Sequence, residues 1–126
     1  NDSGKKGGGF GFYDMSNPYN PQQVFYKVDA QTEKIREGHG FGFFRVNQRD
    51  YVALQTIEGI QIWDWTDVMN PALTSNLILP GVQESDYASG SWWVATQAHY
   101  LYVAGSSNGI YIVDAANPDM PIMRKK

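Results

Sequence analysis

The sequence predicts an all-β fold assembled from a repeated unit of four short strands, and three observations carry that prediction. A signature of the form Gly, apolar, any, apolar, apolar or aromatic, Asp, turn, Pro occurs at residues 9–21, 59–71 and 109–121, a constant period of 50 residues. Self-similarity at a period of that size marks a repeat architecture. Short runs of β-branched and aromatic residues alternate with Gly, Asn, Asp and Pro turn signals along the chain. No segment carries its apolar residues at a helical spacing.

Bulk properties bound the function classes. The chain has 126 residues, enough for one domain, and its 42% apolar content excludes a disordered polymer. A net charge of −3 and an isoelectric point near 5.2 argue against nucleic acid as a partner, which calls for a clustered basic face. There is no cysteine, so disulfide and thiol chemistry are absent; the redox compartment stays open. Apolar runs such as Leu77–Leu79 and Trp92–Ala95 fall far short of the roughly 20 residues of a membrane-spanning helix. No signal peptide opens the chain, but residue 1 falls inside a repeat, which leaves open a leader removed or lying upstream.

Taken in order, residues 1–8 are Gly-rich and read as a loop that forms half of a hairpin, while Asn1-Asp2-Ser3 fits a glycosylation sequon, a pattern short enough to occur by chance. Phe10 to Asp14 is a strand, followed by a turn and a second strand over Gln22 to Val28. Asp29 to Gly38 is a polar connection, with room for one helical turn. Strands then follow at Gly40 to Val46, Tyr51 to Gln55, Ile60 to Asp64 and Thr74 to Leu79, the last ended by Pro80-Gly81. The third unit repeats the plan at Ser91 to Thr96, Tyr100 to Ala104 and Ile110 to Asp114. Tyr51-Val-Ala aligns with Tyr102-Val-Ala, which places one inserted residue in the turn at Gln97 to Tyr100. Arg124-Lys125-Lys126 reads as a solvated end.

Four strands per unit of 50 residues is the arithmetic of a β-propeller blade. The predicted architecture is a partial or open ring of about two to two and a half blades, each a four-stranded antiparallel sheet, with residues 1–126 forming a single repeat domain. A closed propeller needs about 4 to 8 blades. The expected partners are therefore a protein or further blades of the same protein that complete the ring, a homo-oligomer being one form of closure.

The third copy, Gly109-Ile-Tyr-Ile-Val-Asp-Ala-Ala-Asn-Pro preceded by Tyr102-Val-Ala-Gly, resembles the LVIVD repeat of bacterial and archaeal surface proteins expected to be β-propellers. The second copy departs by carrying Val68-Met69 before Asn70-Pro71. The first departs more, with Phe10, Phe12 and Tyr13 in place of aliphatics. The resemblance covers nearly the whole chain. It implies an extracellular, cell-surface or periplasmic location and a non-enzymatic binding or scaffolding role, and it brings no catalytic motif; neither a cofactor nor a metal is expected.

Candidate site residues gather at the entries of the second and third units. His39 lies between Gly38 and Gly40 at the start of a strand expected nearest the central channel, where glycines let a ligand approach the backbone. Histidine is also the commonest metal ligand, so the alternative function is a metal-dependent enzyme of the kind resembling selenium-binding protein, using His39 at the channel mouth. No second histidine matches it, because His99 sits in an outer turn. Asp86, Tyr87 and Trp92 form the corresponding entry of the third unit and join His39 as the binding candidates. Alternation puts one of Trp92 and Trp93 between blades and the other toward the channel or a neighbouring sheet. Asp14, Asp64 and Asp114 recur at one blade position, so each is expected to cap its own turn and no two make a catalytic pair. The third reading is a structural subunit that assembles through open sheet edges.

Overall fold

The computed structural model describes residues 8–35, 38–83 and 86–126. Among these residues, ten strands form three antiparallel sheets. The first pairs β1 (Phe10–Asp14) with β2 (Gln22–Lys27). The second runs β3 (Phe41–Val46), β4 (Arg49–Thr56), β5 (Gly59–Asp64) and β6 (Ala72–Ile78) in sequence order. The third does the same with β7 (Trp93–Gln97), β8 (Tyr100–Ala104), β9 (Ile110–Asp114) and β10 (Ile122–Lys125). These are blades of the expected propeller type. The connection after β2 holds a 3-10 turn at Glu33–Ile35. The sequon and most of the Gly-rich loop lie outside the described residues, as do Arg36 and Glu37.

Period-two alternation sorts the side chains between two apolar layers. On one face of the second sheet, Val52, Leu54 and Trp63 pack with Phe10 and Phe12 of the first. On the other, Tyr51, Ala53, Ile60 and Ile62 pack with Leu101, Val103, Tyr111 and Val113 of the third. The second sheet is thus sandwiched, which explains why every residue of β5 is buried. Fully burying one such aliphatic or aromatic side chain is worth about 1.5–3 kcal/mol.

The inner strands come closest at the boundary of the second and third sheets. A Cβ on Gly40 would lie 2.5 Å from Trp93 Cα, and one on Gly42 would lie 2.5 Å from Thr96 Cγ2. Glycine at both places lets β3 lie against β7, where the Thr96 hydroxyl donates to the Phe43 carbonyl at 2.7 Å.

The periodic turn is the same object three times. Asp14, Asp64 and Asp114 accept through Oδ1 from the backbone N–H two residues on, at 2.8, 3.0 and 3.0 Å. Asn17, Asp67 and Asn117 then repeat the arrangement with Tyr19, Met69 and Asp119, at 3.1, 3.0 and 3.3 Å. Two Asx turns in tandem satisfy the backbone of the reversal. After it, the fourth strand of each sheet carries a bulge at an equivalent residue, since Val24, Thr74 and Arg124 are each skipped in the pairing with the signature strand.

Two expectations need correction. Residues 122–125, which overlap the expected solvated end at Arg124-Lys125-Lys126, form β10, so the third sheet has four strands rather than three. The segment is short and lacks alternation, but Pro121 stands in register with Pro21 and Pro71, each of which precedes a strand. The alignment of Tyr51 with Tyr102 is also displaced. Tyr51 pairs with Asp64 and Tyr100 with Asp114, so the two tyrosines that correspond are Tyr51 and Tyr100. The extra residue lies between β8 and β9, where a 3-10 turn at Ser106–Asn108 replaces the tight turn at Ile57 and Glu58.

Candidate functional site

His39 and Trp92 meet where the second and third sheets adjoin, their ring centroids 5.1 Å apart at a tilt of 55°. The chain reaches this point through a buried polar seam. The His39 N–H donates to Gln55 Oε1 at 3.0 Å, and Gln55 Nε2 donates to the Thr56 carbonyl at 2.8 Å. From the other side, the Ser91 hydroxyl bridges the Thr56 and Gly59 carbonyls at 2.8 and 3.2 Å. Gln55 and Ser91 are each 2% exposed, so these bonds satisfy groups that would otherwise be stranded away from water. His39 itself is exposed and Trp92 half-buried. The arrangement presents an imidazole and an indole together at the end of a packed seam.

Asp86 and Tyr87 belong to a different local structure. Asp86 Oδ1 accepts from the Ala88 N–H at 2.9 Å and Oδ2 from the Ser89 hydroxyl at 2.9 Å, which caps the 3-10 turn Tyr87–Ser89. That turn is tied to the β8–β9 connection by Asn108 Nδ2 on the Ser89 carbonyl at 3.0 Å and the Ser107 hydroxyl on the Ala88 carbonyl at 2.6 Å. Both oxygens of Asp86 are engaged in its own turn; the Tyr87 side chain lies outside the described residues. Of the four candidates, the contacts join His39 to Trp92.

The periodic aspartates use their second oxygen differently in each sheet. Asp64 Oδ2 takes the Arg49 guanidinium from β4 at 2.5 Å, and Asp114 Oδ2 takes Arg124 from β10 at 2.8 Å. Arg124 is the bulged residue, and a bulge re-aims its side chain. For Asp64, burial pushes the pKa up, but the Thr66 N–H and hydroxyl and the Arg49 guanidinium outweigh it and leave the carboxyl below its ordinary value. Asp114 is lowered by the Ala116 N–H and then by Arg124, and Asp14 by Ser16. The three stand one to a sheet as turn caps. His99 lies in the turn between β7 and β8, with Nε2 at 3.7 Å from Asp114 Oδ1.

The outward face of the third sheet carries exposed apolar side chains. Ile60 and Ile62 are 0% exposed beneath the third sheet, whereas Ile110, the counterpart of Ile60, is 61% exposed. Cross-strand pairing puts Trp93 and Ala104 on the same face as Ile110. Trp93 is 63% exposed and Ile122, also on this face, 51%. The Asp114–Arg124 ion pair borders this apolar surface, a layout of apolar centre and charged rim.

Among the described residues, no group of three or more His, Asp or Glu side chains is placed to hold a metal ion. No helix among them is long and apolar enough to cross a membrane. Sequence reasoning missed Asn17, Asp67 and Asn117, although their spacing of 50 matches that of the aspartates. It also missed Gln55, Ser91, Arg49 and Arg124, whose roles depend on contacts between strands that no spacing announces.

Residues 91–126 match the model of the LVIVD repeat. That span includes the whole third sheet, so the match coincides with β7 to β10. No curated protein matches the chain.

Proposed function

From the premise of a β-propeller-type module carrying an LVIVD repeat, we propose that the chain is an exported or cell-surface module that binds or scaffolds protein. The observation that supports this reading is the uncovered outer face of the third sheet. A side chain such as Ile110, 61% exposed where its repeat counterpart is 0% exposed, belongs to a surface of the kind the fold elsewhere buries. Apolar area of this kind, rimmed by charge, suits a contact with protein, either a further blade of the same polypeptide or a separate chain. The reading assigns further partner contact to His39 and Trp92 at the seam and to the turn carrying Asp86 and Tyr87.

The test is the mass of the native particle by light scattering, set against the denatured chain mass. Bound protein or self-association raises the native mass, and Ile110→Asp lowers it again. A native mass equal to one chain, with no protein retained from its source compartment, removes the binding reading. Fractionation of the source cell checks export, and recovery in the soluble interior refutes it. Metal analysis of the native protein separates this reading from a His39-dependent enzyme: a transition metal lost on His39→Ala overturns it in favour of the enzyme.

A further inference from the structure

The chain carries four methionines and no cysteine, so all of its sulfur is thioether. Methionine is a flexible filler of apolar cores, and in this molecule it is kept out of them. The buried layers are built from Ile, Leu, Val, Ala and aromatic side chains, whereas Met15, Met69, Met120 and Met123 are 55%, 58%, 72% and 37% exposed. Two of them, Met69 and Met120, stand in the tandem Asx turns that join β5 to β6 and β9 to β10.

The repeat shows that the exposure of this pair belongs to the turn itself. At the 50-residue period Met69 corresponds to Tyr19 and Asp119, and Met120 to Asn20 and Asn70; all six are exposed. That holds in the second sheet too, which is packed on both faces, so exposure at these positions does not depend on which sheet has a neighbour. Met15 and Met123 stand apart. The counterparts of Met15 are Trp65, stacked on Phe12 with ring centroids 5.2 Å apart, and Ala115, 0% exposed, while Met123 belongs to β10. The turn backbone is also held without the thioethers. The Met69 N–H donates to Asp67 Oδ1 at 3.0 Å, Asn70 Nδ2 donates to Asp67 Oδ2 at 2.8 Å, and the Met120 N–H donates to the Asn117 carbonyl at 3.1 Å.

We propose that Met69 and Met120 are sulfoxidation sites at which the folded chain takes up oxygen from hydrogen peroxide without losing its structure. The sulfur lone pair attacks one peroxide oxygen, and an S–O bond forms as the O–O bond breaks. The departing hydroxide takes the proton left on the transferred oxygen and leaves as water, so sulfur is oxidised and the peroxide reduced by the same electron pair. Each thioether becomes a polar, chiral sulfoxide, a change that disrupts an apolar core and is reversible by sulfoxide reductases. At these two turns it meets solvent, and the apolar layers between the sheets keep their packing. Oxidation therefore alters the polarity of the turns and leaves the fold in place, whether or not the chain binds protein.

The probe is hydrogen peroxide in excess over the full chain, with oxygen uptake at each methionine followed by peptide mass mapping in native buffer and in urea. Met69 and Met120 should oxidise in the folded chain at rates within about fivefold of their rates in the unfolded chain. A chain carrying Met15→Leu and Met123→Leu isolates the pair. It should gain one oxygen at Met69 and one at Met120, with a melting midpoint by circular dichroism that moves by about 2 °C at most. Adding Met69→Leu and Met120→Leu should abolish the uptake. Stronger protection of either residue in the folded chain, or a larger fall in the midpoint on oxidation of the pair, overturns the proposal.

Discussion

Replacing Ile60 and Ile110 by alanine tests the sandwich directly, because the two residues share one repeat position and differ in what covers them. Ile60 is 0% exposed, enclosed with Ala53, Ile62, Leu101 and Val103 between the second and third sheets. Truncating it removes three carbons and leaves a cavity that close-packed neighbours fill only in part. Ile60→Ala should therefore cost about 2–5 kcal/mol. Ile110 is 61% exposed, and Ile110→Ala in the monomeric chain should stay within about 0.5 kcal/mol. With about 4 °C of melting temperature per kcal/mol, Ile60→Ala lowers the midpoint by about 8–20 °C and Ile110→Ala by about 2 °C at most. Circular dichroism melts on samples shown by sedimentation to be monomeric decide the matter. Equal shifts, or an Ile60→Ala cost below about 1 kcal/mol, refute the assignment of faces.

Gly40→Ala should weaken the contact between β3 and β7 by about 1–3 kcal/mol, because its Cβ meets backbone atoms of Trp92, Trp93 and Val94 at 2.5–2.9 Å. Gly42→Ala meets first a methyl of Thr96 and should cost less; urea midpoints that rank the two the other way contradict the geometry. Tyr111→Phe removes the hydroxyl that donates to the Pro80 carbonyl at 2.5 Å and should cost about 1 kcal/mol in the same assay. Acid should destabilise the chain in a defined direction. The folded pKa values of Asp14, Asp64 and Asp114 lie below the ordinary 3.8, so their stabilisation is complete above that value and is lost as pH falls through the folded pKa values. Melting temperatures measured from pH 6 down to pH 2 should fall at the acid end, less steeply for Asp64→Asn, and a slope unchanged by that substitution refutes the role given to Asp64.

What the sequence determined by itself is whatever the repeat writes locally. The Asp caps, the signature strands and the all-β class follow from turn chemistry and two-residue alternation, both legible within a few positions. The second Asx turn at Asn17, Asp67 and Asn117 was legible too, in the same period. Tertiary structure decided the rest, because it depends on which sheet lies against which. The continuous burial of β5 comes from having a sheet on both faces, and the need for glycine at 40 and 42 from a strand that approaches from the next unit. His39 and Trp92 are far apart in sequence and meet only because β3 and β7 lie together. Identical repeat positions acquire opposite fates for the same reason: Ile60 and Ile110 share a local pattern, but burial belongs to the neighbour that covers a side chain, and no local pattern encodes a neighbour.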